Sequence, residues 1–208
     1  MRIKNWLIAA LCLVSPSLYA HTGGHIDHSL MSGLLHPLTG IDHLLVLMAV
    51  GLIAAKQGGK TLFVFPAAFL ALMVTGALLN AVAVQIPFVE SFIALSLVAI
   101  GLLVGGVGWV SDSVTQHLRL RGVGLRLMPN PTYALLLGVS FFAVFHGYAH
   151  AAEIPTDSST VLYFSALMLM SLAICLVGSV LGLSTGKRIN YLFSLICLSS
   201  GLYYLAAV

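Results

Sequence analysis

Charged side chains are scarce in this sequence. Of its 208 residues, 7% are Asp, Glu, Lys or Arg, whereas 60% are hydrophobic. A water-soluble domain has about 25% charged residues, so too few are present here to cover a water-facing surface. The three cysteines provide no disulfide framework, and the basic residues form no patch of the kind that binds nucleic acid. The composition therefore predicts a protein whose main partner is the lipid bilayer, with no nucleic-acid partner.

The first 20 residues are typical of a cleavable signal peptide. Arg2 and Lys4 provide a positive start, and residues 6–14 form an apolar segment. A short stretch of small and polar residues then ends at Ala20. This order of charge, apolar segment and small residues predicts secretion with cleavage after Ala20, although Leu18 three positions before the cut also allows a retained anchor.

Six apolar stretches follow, and each is long enough to cross about 30 Å of hydrocarbon as an α-helix. They comprise residues 34–55, 62–84, 88–110, 132–152, 161–183 and 189–208. The sequence thus predicts an all-α membrane protein with six transmembrane helices after the signal peptide. Its mature chain would consist of a His-rich N-terminal segment at residues 21–33 and one transmembrane domain at residues 34–208.

Two pairs of glycines are spaced for close helix packing. Gly101 and Gly105 lie on the third predicted span, and Gly178 and Gly182 lie on the fifth. Small residues four positions apart let helix backbones approach closely in lipid. We predict a packing role for both pairs.

The distribution of Lys and Arg predicts the orientation in the membrane. After the signal peptide, all seven basic residues lie in the first, third and fifth connectors between spans. The other connectors contain none, and one of them carries Glu153 and Asp157. Loops rich in Lys and Arg stay in the cytoplasm. The sequence therefore predicts a bacterial inner-membrane protein whose mature N-terminus and C-terminus both lie in the periplasm.

Most polar residues of the predicted spans lie at one depth, in the outer half of the membrane. An ionisable group inside a span is costly, so each one is a candidate functional residue. The polar residues at this depth are His36, Asp42, His43, Asn80, Glu90, His146, His150 and Glu153. Hydrogen bonds between helices would explain one such residue. A group of them from four helices at a shared depth predicts a binding site.

Helical geometry indicates which of these candidate residues can bind one ion together. His146 and His150 are four residues apart on one face, which also carries Glu153. Two histidines at this spacing are typical ligands of one transition-metal ion. His36 and His43 also share a face, but a regular helix separates them by about 10 Å along its axis. With ligand bonds near 2 Å, they could not both reach one ion.

We therefore predict a central metal site on the first and fourth spans. Its residues are Asp42, His43, His146 and His150. Asp42 either binds the ion or orients an imidazole, since it lies about 100° around the helix from His43. We predict that His36 lies nearer the mouth, unless Pro37 and Gly40 break the helix. Imidazole and carboxylate groups without a thiolate suit Ni²⁺, Zn²⁺, Co²⁺ or Fe²⁺.

The N-terminal segment adds further candidate ligands. It carries His21, His25 and His28, and short His-rich tracts often bind metal. We expect this segment to be mobile and outside the membrane. It would capture ions together with Glu90 and pass them to the central site; the alternative is a passive leader into the first helix.

The two histidine runs resemble the signatures of the HupE/UreJ family of nickel permeases, membrane proteins associated with hydrogenase or urease genes. The run from His36 to His43 resembles the first signature. The run from Phe145 to His150 resembles the second, with Ala151 in place of the usual glycine and Glu153 retained. The resemblance covers the whole chain and implies uptake of Ni²⁺, with Co²⁺ or Zn²⁺ as related ions, and no prosthetic group. It carries over His36, Asp42, His43, His146, His150 and Glu153 as motif positions.

Other function classes remain open at this point. An intramembrane zinc-dependent hydrolase could use the histidines with Asp42 or Glu153 to activate water. A serine hydrolase is disfavoured, because the residues around Ser140 lack the second glycine of a nucleophile turn. A metal-binding membrane receptor and a haem-binding electron carrier are further alternatives. We favour a permease that is not an enzyme.

Overall fold

A computed structural model describes residues 25–120, 131–184 and 186–208, with side chains for residues 28–106, 135–184, 186 and 188–208. All regular secondary structure in these ranges is helical, which confirms the all-α prediction. The helices are α1 (His25–Thr39), α2 (Ile41–Gln57), α3 (Thr61–Ala81), α4 (Val89–Leu120), α5 (Pro131–Ala152), α6 (Thr160–Ser184) and α7 (Lys187–Ala207). The predicted signal peptide and His21 lie outside the described residues.

Five of the described helices are long and apolar enough to cross a membrane alone. They include Thr61–Ala81, Val89–Gly106, Leu135–Ala152, Thr160–Ser184 and Arg188–Ala207. The first predicted span differs from the other five, because α1 and α2 divide it with a bend of 78° between them. Together the two helices are long and apolar enough for one broken span.

The bend between α1 and α2 lies at Gly40. This residue has extended backbone angles, φ −83° and ψ 110°, and forms the N-cap of α2. Pro37 lacks a backbone N–H and so weakens the last turn of α1. The Thr39 hydroxyl donates a hydrogen bond of 2.9 Å to the carbonyl oxygen of His36 and helps to close that turn. The predicted span at residues 34–55 is therefore broken at Gly40, which is the alternative that the sequence left open.

The helix α1 begins earlier than the first predicted span and packs on α6. The backbone N–H of Ser159 donates a 2.8 Å hydrogen bond to the hydroxyl of buried Ser29. Gly33 lies directly against the backbone carbonyl of Tyr163. These contacts hold one face of α1 against the start of α6. The N-terminal segment at residues 21–33, which we expected to be mobile, is helical from His25 onward.

Three helix pairs of the bundle pack backbone to backbone through glycines. The pairs are α2 with α6 through Gly51 and Gly178, α3 with α5 through Gly76 and Gly147, and α4 with α7 through Gly101 and Gly201. Each partner in a pair contributes a glycine, and a Cβ at any of these positions would press on the facing helix. Such contact is how helices associate closely in lipid. The predicted packing role of Gly101 and Gly178 agrees with this arrangement.

The helix α2 lies at the centre of the bundle. Eleven of its 17 residues are buried, and it contacts each of the other described helices. Its apolar residues form the hydrophobic core with Phe65, Phe69, Leu97 and Leu167 from three neighbouring helices. Because His43 lies near the start of α2, this central position places an imidazole inside the bundle close to one of its ends.

Candidate metal centre

Four predicted site residues converge where α1 bends into α2. They are His36, His43, His150 and Glu153, and one ligand atom from each lies within 4.8 Å of the others. The ring centroids of His36 and His43 are 6.0 Å apart, compared with the separation of about 10 Å along the axis of a regular helix. The bend is thus the alternative that the sequence left open, in which Pro37 and Gly40 break the helix, and it places His36 beside His43.

His36 contacts both partners from the end of α5. Its Nε2 donates to a carboxylate oxygen of Glu153 at 3.0 Å, and its ring centroid lies 4.8 Å from that of His150. The same carboxylate oxygen lies 4.0 Å from Nδ1 of His150. Glu153 is thus hydrogen-bonded to His36 and lies close to His150 without a hydrogen bond to it.

The hydrogen bond from His36 lowers the pKa of Glu153, against burial, which acts to raise it. Glu153 lies just beyond α5 and its side chain is about half exposed, at 52%. Its carboxylate is therefore ionised at neutral pH and can accept a hydrogen bond or bind a cation.

His43 and His150 provide the buried part of the cluster. They are 7% and 1% exposed, and their ring centroids are 4.0 Å apart at an interplanar angle of 82°. Within the described residues, Nε2 of His43 and Nδ1 of His150 have no hydrogen-bond partner. A buried polar atom without a partner costs about 1–3 kcal/mol. A bound cation would satisfy these nitrogen lone pairs.

Asp42 contacts His43 and lies outside the group of four. One of its carboxylate oxygens is 2.7 Å from Nδ1 of His43. Asp42 is also in the first turn of α2, where a negative charge is favoured by the helix dipole. This arrangement matches the orienting role that the sequence left open for Asp42.

His146 is buried beside His43 but does not belong to the group of four. It is 2% exposed, and its ring centroid is 5.0 Å from that of His43. Its Nε2 lies 3.0 Å from the hydroxyl of Ser96 on α4. His146 lies one turn before His150 on α5 and has a polar partner on α4, and its predicted role as a ligand of the central site stays a prediction.

A cavity of about 230 Å³ opens to the protein surface beside His36, His43 and Glu153. Its lining includes His36, Thr39, Gly40, Asp42, His43, Glu90, Ile93, Ala149 and Glu153. Three carboxylates and two imidazoles line one small space, which favours a cation over an anion. Glu90 is exposed at the start of α4 and lies in this lining, consistent with its predicted position near the entrance.

The predicted N-terminal ligands are not part of this group. His28 is exposed on α1, eight residues and therefore about 12 Å along the helix from His36. The side chain of His25 lies outside the described residues, as does His21. Their predicted capture role stays a prediction.

Sequence reasoning did not identify Ser96 or Tyr163 as neighbours of the histidines. Ser96 is fully buried and bonds His146, while the ring of Tyr163 lies 5.8 Å from that of His36. A serine in an apolar run commonly bonds its own helix carbonyl, and a tyrosine is an ordinary core residue. Neither carries a signal that periodicity or spacing could have revealed.

Comparison with known proteins agrees with the two histidine signatures. The family described as HupE / UreJ protein matches residues 9–205 of this chain. Protein HupE of Rhizobium leguminosarum bv. viciae is 33% identical over 171 residues, which cover 82% of this chain and 78% of that protein. No solved structure matches the chain. The family match spans nearly the whole sequence, and this chain belongs to the HupE/UreJ family.

Proposed function

We propose that this chain is a membrane permease that takes up Ni²⁺, with Co²⁺ and Zn²⁺ as related candidate ions. The observation that carries the proposal is the convergence of His36, His43, His150 and Glu153 within 4.8 Å at a break in a membrane span. Three imidazoles and one carboxylate suit divalent ions of this part of the transition series. Membership of the HupE/UreJ family supports the same conclusion.

The proposed membrane arrangement has six spans, of which α1 and α2 together form the first. The Lys and Arg distribution supports cytoplasmic connectors after α2, α4 and α6, and a periplasmic N-terminus and C-terminus in a bacterial inner membrane. The cleavable signal peptide at residues 1–20 belongs to this proposal. The break at Gly40 then lies on the periplasmic side, where the cavity receives the ion.

The proposed path of the ion starts outside the membrane. His21, His25, His28 and Glu90 capture a hydrated ion, and the acidic cavity concentrates it. The ion loses water stepwise to His36, His43, His150 and Glu153, while Asp42 orients His43. No covalent bond is made or broken in this process, and we propose that the protein is not an enzyme and has no prosthetic group.

Radioactive nickel accumulation in cells that lack their own nickel importers tests this proposal. We would compare wild type with His43→Ala and His150→Ala at matched membrane expression, with cobalt and zinc as competitors. Cys175→Ala is a matched control, because it truncates a fully buried side chain of α6 outside the cluster. We expect both histidine variants to lose nickel uptake and the cysteine variant to keep it.

Two results would contradict the permease proposal. Wild-type cells that accumulate none of the three metals would favour the hydrolase or receptor alternatives. Nickel uptake that survives both histidine substitutions would show that the ion does not pass through this cluster. Weak competition by cobalt and zinc would support Ni²⁺ as the main substrate.

A further inference from the structure

Ser96 links α4 to the deepest histidine of the candidate centre. The residue is fully buried, and its hydroxyl oxygen has two polar neighbours. It lies 2.6 Å from the backbone carbonyl oxygen of Ile93 and 3.0 Å from Nε2 of His146. Both distances are in the hydrogen-bond range, and the hydroxyl has a single proton to donate.

That single proton decides the state of His146. A carbonyl oxygen can only accept, so the contact between Ser96 and Ile93 requires the serine hydroxyl to donate to it. If the hydroxyl donated to His146 instead, two oxygens would face each other at 2.6 Å with no proton between them. The consistent assignment is that Ser96 donates to Ile93 and accepts a hydrogen bond from Nε2–H of His146.

We infer that Ser96 is a positioning residue that holds His146 in the tautomer protonated on Nε2. Nδ1 is then the nitrogen of His146 that carries the lone pair with which an imidazole binds a metal ion. This inference rests on the proposed function for its consequence in transport. The hydrogen bond itself is a property of the metal-free protein.

The consequence concerns the step after the four-residue cluster. His146 precedes His150 by four residues on α5 and therefore lies about 6 Å deeper along the helix. The ring of His43 borders both, with centroid distances of 4.0 Å to His150 and 5.0 Å to His146. The imidazole of His146 is thus the next one beside the cluster, with His43 in contact with both positions.

The tautomer is measured by ¹⁵N solid-state NMR on histidine-labelled, metal-free protein in lipid bilayers. The two tautomers differ in which ring nitrogen carries the proton, and a His146→Gln sample identifies the His146 signals by their absence. We expect wild type and Ser96→Thr, which keeps the hydroxyl, to show protonated Nε2 at His146. Ser96→Ala should show a mixture of both tautomers.

Nickel uptake by the same variants tests the consequence of this hydrogen bond for transport. We expect Ser96→Ala to lower uptake by about 10- to 100-fold, the range for loss of a partner that orients a metal ligand. Ser96→Thr should restore most of the uptake. The matched control is Ser179→Ala, which removes a similarly buried hydroxyl that bonds the carbonyl of Gly51 and contacts no histidine.

The outcomes separate this inference from the proposed function. Protonated Nδ1 at His146 in wild type would overturn the positioning role without requiring any variant to fold. Unchanged uptake in Ser96→Ala, alongside active wild type, would also overturn it. Failure of wild type to transport any metal would reject the permease, while a wild-type Nε2 tautomer that is lost in Ser96→Ala would still establish the positioning contact.

Discussion

Replacement of Gly147 with alanine places a Cβ against the backbone of α3. This atom would collide with the carbonyl oxygen of Met73 and lie 2.6 Å from its Cα. Ordinary van der Waals contact begins at about 3.4 Å, so α3 and α5 must separate locally by at least about 0.8 Å to relieve the contact with Cα alone. Overpacking of this kind costs about 1–3 kcal/mol, partly offset by the better helix propensity of alanine, about 0.5–1 kcal/mol.

The displacement matters because Gly147 lies between two histidines of the candidate centre. Metal–ligand distances tolerate about 0.2 Å, and α5 carries His146 and His150. A shift of α5 several times larger than this tolerance should misplace both imidazoles relative to His43 on α2. We expect Gly147→Ala to lower nickel affinity and uptake by about 10- to 100-fold.

Gly138 on the same helix offers a matched control. A Cβ added at Gly138 meets no atom within 4 Å. Calorimetric nickel titration of purified protein and nickel uptake in cells should both show Gly138→Ala close to wild type. Equal loss in both glycine variants, or wild-type affinity in Gly147→Ala, would refute the argument from backbone contact.

Three further predictions concern the exposed carboxylate of the cluster, the pH dependence of nickel binding and the packing of α1. Glu153→Gln removes the charge that His36 contacts and should weaken nickel binding about tenfold in the calorimetric titration. The control Asp157→Asn, in the same exposed connector, should leave nickel binding unchanged. Equal effects of the two substitutions would contradict a specific role of Glu153 in nickel binding. Nickel affinity should fall as pH drops, because protons compete with the ion for the imidazole nitrogens. Because its pKa is lowered, Glu153 stays ionised between pH 7.5 and 5.5, so a change of affinity across that window would come from the imidazoles, and constant affinity would contradict proton competition there. Ser29→Ala should lower thermal stability by about 0.5–1.5 kcal/mol through loss of the Ser159 hydrogen bond, and an unchanged melting temperature would show that this contact contributes nothing.

The composition and the order of residues were sufficient for the helical class and for the choice of the histidines that the structure brings close together. Lipid excludes unpaired backbone groups and most charges, so apolar runs of about 20 residues indicate helices without knowledge of their packing. The same penalty makes His43, His146 and His150 conspicuous. The two histidine runs were also sufficient to indicate the family, which the match over residues 9–205 confirmed.

The membership of the cluster was decided by tertiary structure. A regular helix keeps His36 and His43 about 10 Å apart along the axis, and only the 78° bend at Gly40 places both beside His150. Helix spacing likewise places His146 and His150 on the same face and does not distinguish them. The packing of α4 does, because it places Ser96 against His146. Periodicity reports which residues share a face, whereas the bend of a backbone and the neighbour across a helix interface depend on contacts between segments far apart in sequence.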